Sequence, residues 1–174
     1  MEALKYPVGK FKVQETYSNE EIENFKANLK HFPKVLRETT SGISDAELAT
    51  PYREEGWTAR QVVHHLADSH MNMMIRLKWT FTEDSPAIKA YHEDLWAKLP
   101  DYSLPIEISL AMIDGIHARI SALVENIGEE ELEKTYFHPE SKRYWKVKEV
   151  LALYSWHCEH HLAHIKICRG QWSI

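Results

Sequence analysis

The stretch YSWHCEHHLAH, residues 154–164, combines four histidines with the apolar spacing of a buried helix. Steps of four and three residues, which are typical of core positions in a helical bundle, link one set of side chains: Val150, Tyr154, His157, His161, His164 and Cys168. Residues four apart share a helix face with about 5–6 Å between Cβ atoms, so His157 and His161 can reach one metal ion. The stretch therefore predicts a core helix that carries imidazoles where a purely structural helix would carry Leu or Ile.

Three further segments of the chain are amphipathic, and together with this helix they predict an all-α four-helix bundle. The predicted helices begin near Ser18, at Thr58 (paired with Gln61 as a capping box), after Pro105 and near Val147, and the last one closes at Gly170. A long connection, about residues 83–104, separates the second and third helices and is expected to hold a short helix around Tyr91–Leu99. Few β-branched runs occur, so no sheet is expected. We interpret residues 1–174 as a single domain.

Composition and charge exclude several classes of protein. Hydrophobic residues make up 44% and charged residues 27% of the chain, as in ordinary globular domains, and no apolar run approaches the ~20 residues of a membrane span. The net charge of −5 without a long basic block argues against a nucleic-acid partner. Cys158 and Cys168 lie about 15 Å apart along one predicted helix, too far for a disulfide. With no apolar signal segment at the start, these features favour a reducing cytoplasm.

A weak internal repeat adds a third histidine to the pair. WTARQVV from Trp57 and WKVKEVL from Trp145 open the second and fourth helices alike. His65 follows its tryptophan by eight residues, whereas His157 and His161 follow theirs by twelve and sixteen, so all three project from a similar face. A buried histidine is usually a hydrogen-bonded packing residue, but three along one face need partners for six ring nitrogens. A divalent metal ion would satisfy them together.

The remaining histidines of these helices are not predicted as metal ligands. We expect His64 and His70, which flank His65 on other faces of its helix, to be solvent-exposed. His117 borders the apolar stripe of the third helix, with a role as an extra polar group near the metal as its alternative. His160 is a boundary residue, because it lies about 80° from the centre of the fourth helix's stripe at roughly 100° per residue.

The segments WTARQVVHHLADS (57–69) and HCEHHLAHI (157–165) resemble the second and last helices of the DinB/YfiT superfamily, and the resemblance extends over nearly the whole chain. It implies a bundle of up-down-down-up order, often a homodimer, with His65, His157 and His161 as metal ligands. Many relatives continue with Arg-Gly-Gln after the last ligand, whereas this chain has Leu162-Ala163-His164. His164 therefore becomes a candidate partner that orients a ligand. Asp68 is a second candidate, with a plain surface carboxylate as its alternative.

Three neutral imidazoles with open coordination positions suit zinc, or nickel in the purified protein, at one ion per chain. The YfiT-like resemblance implies either a low-molecular-weight thiol (bacillithiol) S-transferase or a metal-dependent hydrolase that activates water. A non-catalytic metal-binding stress-response module and a metal-free interaction bundle are the further alternatives. The expected partners are a small thiol and an electrophile, with no membrane. The aromatic connection from Trp79 to Tyr102 is expected either to wall the electrophile's pocket or to be a satellite core under a loop. No catalytic residue can be assigned from the sequence.

Overall fold

Four long helices dominate the computed structural model, which describes residues 2–172 of the chain. In chain order the elements are α1 (Glu2–Lys5), α2 (Asn19–Thr40), α3 (Asp45–Leu48), α4 (Ala59–Thr82), α5 (Glu93–Trp96), a 3₁₀ helix (Pro100–Ser103), α6 (Ile106–Val124), α7 (Glu129–Glu133), β1 (Thr135–His138), β2 (Arg143–Lys146) and α8 (Val147–Cys168). The four long helices α2, α4, α6 and α8 confirm the predicted all-α bundle. Within the described range, no helix is both long and apolar enough to cross a membrane.

The helix ends follow the capping signals in the sequence. The Thr58 side chain accepts a hydrogen bond from the Gln61 backbone N–H, and the Gln61 side chain accepts one from the Thr58 backbone N–H, which confirms the predicted capping box of α4. Ser18 caps α2 in the same way. After α8, Gly170 adopts φ = 64°, a left-handed conformation that costs glycine little, and the chain leaves the bundle there.

Side-chain contacts between the long helices give their relative directions. The paired contacts are His64–Ser109 and His70–His117 between α4 and α6, Ser69–Tyr154 and His65–His157 between α4 and α8, Asn28–Ser155 and Thr39–Arg169 between α2 and α8, and Leu29–His117 and Arg37–Asp114 between α2 and α6. Residue numbers rise together between α4 and α6 and between α2 and α8, so these pairs are parallel. They run in opposite senses in the other two pairs. The order is therefore up-down-down-up, and the long connection returns the chain so that α6 runs parallel to α4.

The expectation that the chain contains no sheet is wrong. Strands β1 and β2 form an antiparallel hairpin in which Tyr136 pairs with Trp145. Phe137 of the hairpin also exchanges backbone hydrogen bonds with Pro86 and Ile88 of the long connection, at 2.9 and 3.0 Å. Strands of only four residues leave too short a pattern for the sequence to reveal. The hairpin and the connection together cover one side of the α4–α8 pair.

Candidate metal centre

The three histidines predicted as ligands meet between α4 and α8. Because these helices run antiparallel, His65 lies opposite His157 and His161, and each residue offers a ring nitrogen within 4.8 Å of the others. His65 Nε2 and His157 Nε2 are 3.3 Å apart. Two nitrogens that each lie about 2.1 Å from one tetrahedral zinc ion are separated by roughly 3.4 Å. The spacing therefore fits a shared ion, and the assignment of these residues as ligands stays a prediction.

These imidazoles are held in the neutral form that binds metals. Burial, with a smaller contribution from His160, lowers the pKa of His65 to about 3. Burial also holds the pKa values of His157 and His161 well below the ordinary histidine value, and the neighbouring histidines act in the same direction. At neutral pH each ring consequently keeps a lone pair, and no proton has to leave before a cation binds.

A chain of three imidazoles determines which nitrogen of His157 faces the site. His117 Nδ1 lies 2.6 Å from the carbonyl oxygen of Leu29, His117 Nε2 lies 2.6 Å from His70 Nδ1, and His70 Nε2 lies 3.2 Å from His157 Nδ1. The carbonyl can only accept, so His117 donates from Nδ1 and accepts at Nε2. His70 must then donate from Nδ1 and accept at Nε2, and His157 must donate from Nδ1. The unprotonated nitrogen of His157 is therefore Nε2, the atom that faces His65.

The sequence did not predict this chain, because His70 was expected in solvent. His117 was expected at the border of its stripe, with a place near the metal as the alternative. Both rings are fully buried. A signal was nevertheless present: His70 completes the four-three spacing between Leu66 and Met73 in the apolar stripe of α4. His117 likewise stands four residues after Ile113 in the stripe of α6. Imidazoles at such positions need buried partners, and each of these two rings is the other's partner.

His64, the other histidine expected in solvent, is also buried. Its Nδ1 lies 2.7 Å from Ser109 Oγ and its Nε2 lies 3.0 Å from the Leu104 carbonyl oxygen. Nδ1 thereby joins α4 to α6, and Nε2 joins α4 to the end of the long connection. His64 is a hydrogen-bonded packing residue and has no nitrogen left for a metal.

His164 contacts the site as its candidate role requires. Its Nδ1 lies 3.3 Å from His161 Nδ1, which leaves Nε2 of His161 available to an ion. The ring stacks on Tyr52, with centroids 3.7 Å apart, and this packing limits its rotation. These contacts support the prediction that His164 orients His161, and this role stays a prediction.

His164 also belongs to a second group that could hold a metal, formed with His160 and His161. His160 was expected at the boundary of the bundle, but it is buried and stacks on Trp156. Burial lowers the pKa of His160 to about 4. His161 belongs to both groups. A neutral imidazole has one unprotonated nitrogen, so His161 can serve only one group at a time, and variants of His65 and His160 distinguish them.

Asp68, the other candidate for orienting a ligand, has a different partner. The Tyr102 hydroxyl donates a 2.7 Å hydrogen bond to Asp68 Oδ2, and the carboxylate makes no hydrogen bond to His65, His157 or His161 in the range 2–172. Three residues after His65, Asp68 faces the side of α4 that packs on the 3₁₀ helix. It ties α4 to the long connection and does not orient a ligand. His65 Nδ1 is buried with no hydrogen-bond partner among the described residues, and the Trp57 ring, 4.6 Å away between centroids, packs against it.

A pocket of about 350 Å³ opens onto the three histidines from solvent. Its aromatic wall comes from Trp57, Tyr91, Tyr154 and Trp156. Of the aromatic residues expected from the long connection, Tyr91 therefore lines the pocket. Trp79 is not part of the lining, and Tyr102 packs on Asp68 and His64 instead. The pocket is large enough for a small organic substrate beside the ligand nitrogens.

Comparison with known proteins gives one consistent family. The DinB superfamily matches residues 28–165 of this chain. A protein of Oceanobacillus iheyensis is 43% identical over 166 residues, which cover 95% of this chain and 96% of that protein. A protein of Bacillus licheniformis is 44% identical over 170 residues, which cover 97% of each. Both relatives are provisionally named metal-dependent hydrolases.

A solved structure shows the same fold. YfiT from Bacillus subtilis, described as "a probable metal-dependent hydrolase with an unusual four-helix bundle topology", superposes with a TM-score of 0.93 at 40% sequence identity, covering 98% of this chain and 99% of YfiT. Because the family match passes through all four long helices and YfiT has the same fold almost from end to end, the chain belongs to the DinB superfamily.

Proposed function

We propose that the protein is a metal-dependent enzyme that transfers a low-molecular-weight thiol, bacillithiol in cells that use it, to an electrophile. One divalent ion, zinc, would be held by His65, His157 and His161. Bound by three neutral imidazoles, the ion would keep its full positive charge and lower the pKa of a thiol or a water molecule beside it. The observation that carries the proposal is the 3.3 Å approach of His65 Nε2 to His157 Nε2 at the inner end of an open pocket.

The residues of the chain supply binding and orientation. His70 and His117 fix the tautomer of His157, and His164 orients His161. The aromatic wall of the pocket, defined above by its four residues, would exclude water from an apolar electrophile. In the reaction with monochlorobimane, the thiol sulfur forms a bond to carbon, the carbon–chlorine bond breaks, and chloride and a proton are released.

The proposal needs no nucleophile or general base from the protein. The carboxylates that line the pocket, Glu93 and Glu140, are exposed on its outer part. Cys158 is buried, and burial raises the pKa of its thiol well above the ordinary cysteine value, so it is a poor nucleophile. These features favour transfer of an external thiol over a reaction that requires a protein base at the three histidines.

A hydrolase is the second candidate, because the relatives and YfiT carry that description in their names. The same three histidines and the same pocket would serve it. Water would then replace the thiol, and an ester or amide bond of the substrate would be cleaved.

The test measures zinc content and bacillithiol–monochlorobimane conjugation on the same preparations, with cysteine and glutathione as comparison thiols and metal-free protein as the blank. We expect about one zinc ion per chain and conjugation that is fastest with bacillithiol. His65→Ala, His157→Ala and His161→Ala should each lose zinc and activity. His160→Ala, a change of the same kind beside His161, should retain both and is the matched control.

Several outcomes would contradict the proposal. Full zinc retention in all three ligand variants would show that these histidines do not bind the ion. Zinc loss in His160→Ala but not in His65→Ala would show that the second histidine group binds it. Conjugation at the uncatalysed rate with every thiol, together with zinc-dependent cleavage of an ester or amide, would establish the hydrolase. Zinc binding without either reaction would indicate a non-catalytic metal-binding protein.

A further inference from the structure

Arg76 is a buried cation in the wall of the pocket that contains the three histidines. It lies on α4, eleven residues after His65, and only 7% of its surface is exposed. It is the only Lys or Arg among the described residues that line this pocket. Eleven residues correspond to about three helical turns, so Arg76 and His65 project from nearly the same face of the helix.

Its guanidinium group is incompletely paired. One nitrogen, Nη2, donates to the carbonyl oxygen of Lys89 at 3.3 Å, and Nε is buried with no hydrogen-bond partner between residues 2 and 172. Within the same residues, no carboxylate lies within 4.0 Å of it. The Tyr91 ring, whose centroid is 5.9 Å from Cζ, supplies only a weak cation–π contact.

An arginine in this state is costly for the fold. Charged side chains are rarely buried without a counter-ion, and a guanidinium cannot lose its proton to avoid the cost. A ligand carboxylate in the pocket would provide the missing counter-charge. The planar fork of the guanidinium matches the two oxygens of a carboxylate, and one unpaired arginine suits the single charge of that group.

We propose that Arg76 binds a carboxylate of the thiol substrate while the sulfur lies at the three histidines. This inference rests on the proposed function and adds the residue that recognises the anionic group of the thiol. Eleven helical residues separate the two Cα levels by about 16 Å. Long side chains on a helix generally lean toward its N-terminus, which for Arg76 is the direction of His65 and would shorten that separation. The carboxylate recognised at Arg76 therefore lies several bonds further from the sulfur than it does in cysteine.

The test compares two thiols that differ only in the anionic group. Bacillithiol carries a malate with two carboxylates, and cysteinyl-glucosamine is the same thiol without the malate. Both are titrated calorimetrically into zinc-loaded wild-type protein, Arg76→Gln, Arg76→Lys and the control Arg119→Gln, which removes the same charge from an exposed position of α6. Bacillithiol should bind the wild-type protein and the control about tenfold or more tightly than cysteinyl-glucosamine.

In Arg76→Gln the affinity ratio of the two thiols should fall toward one, and Arg76→Lys should retain part of it because the charge remains but the fork is lost. Near-UV circular dichroism and zinc content identify variants that have kept the fold. Equal affinities of the two thiols for the wild-type protein would overturn the proposal. An unchanged ratio in a folded Arg76 variant would overturn it as well.

A second titration separates this inference from the proposed function. Malate alone, which has no thiol, is titrated into metal-free wild-type protein and the same variants. Binding that Arg76→Gln loses and Arg119→Gln keeps would support carboxylate recognition even if the protein conjugates no thiol. Equal malate affinity with and without Arg76 would overturn the carboxylate site even if zinc-dependent conjugation is observed.

Discussion

The carbonyl oxygen of Leu29 determines the protonation of His157, a residue that it does not touch. The intervening rings of His117 and His70 pass on the donor–acceptor order, and the result is an unprotonated Nε2 on the proposed ligand. Partners of this kind commonly alter metal affinity as strongly as some ligands do, because a misoriented imidazole loses its directional bond to the ion. Single residues far from the pocket therefore belong to the candidate site.

Replacing His70 by phenylalanine tests this arrangement. The ring shape remains in the core, but both nitrogens are removed, so His157 Nδ1 loses its acceptor. We expect zinc affinity, measured by competition with a chromogenic chelator, to fall about 10- to 100-fold. His92→Phe, on the exposed side of the chain, should leave the affinity unchanged. A folded His70→Phe protein with wild-type affinity would show that the chain does not act on the metal.

Helix α4 provides three residues of the site and its surroundings, His65, His70 and Arg76, from a single rigid element. Its first turn is fixed by the reciprocal hydrogen bonds of Thr58 and Gln61. The end of the helix that bears this cap lies less than two turns before His65. A stable start of α4 thus holds His65 in position opposite α8.

Removing the cap with Thr58→Ala should lower the free energy of unfolding by about 1 kcal/mol, because the Gln61 backbone N–H loses its acceptor. Urea denaturation of the metal-free protein measures this change. Thr82→Ala removes the same atoms from the exposed last residue of α4 and should change stability by less than about 0.5 kcal/mol. Equal effects of the two substitutions would mean that the cap is not what stabilises the start of the helix.

Across the whole molecule, a layer of buried neutral histidines makes folding dependent on pH. Burial lowers the pKa of His117 to about 4, whereas an exposed histidine in the unfolded chain titrates near 6.5. Between these values the unfolded state holds a proton that the native state does not. The stability that comes from keeping His117 neutral is therefore fully present above pH 6.5. It is lost as the pH falls toward 4, because protonation then favours the unfolded chain.

The metal-free protein should therefore become less stable between pH 6.5 and pH 4, by about 3 kcal/mol at most from His117 alone. Urea denaturation in the presence of a chelator gives the free energy of unfolding at each pH. His117→Gln should reduce the slope over this interval, whereas the exposed His92→Gln should not. A slope that His117→Gln leaves unchanged would show that this ring does not contribute to the acid sensitivity.

Local patterns were sufficient to predict the four long helices, the caps of α2 and α4 and the face on which His65, His157 and His161 lie, but not the short helices α1, α3 and α7. Helical periodicity depends on residues three and four apart, and a capping box depends on residues three apart, so both are readable along the chain. The matching register of the two tryptophan-led segments extended this reasoning from one helix to its neighbour. For that reason the bundle and the meeting of these three histidines could be predicted from the sequence alone.

Only the tertiary structure showed which groups surround those histidines. The partners of His70 lie on α6 and α8, and Nε of Arg76 has no partner among the described residues. The spacing of residues along one helix specifies neither the partners nor their absence. The β1–β2 hairpin could not be predicted, because its four-residue strands are too short to show an alternating pattern. The sequence determined the apolar stripes of the helices, because periodicity is local. The packing of the four helices determined that His64 and His70 are buried as well, and which buried nitrogens meet a partner or remain available to bind one.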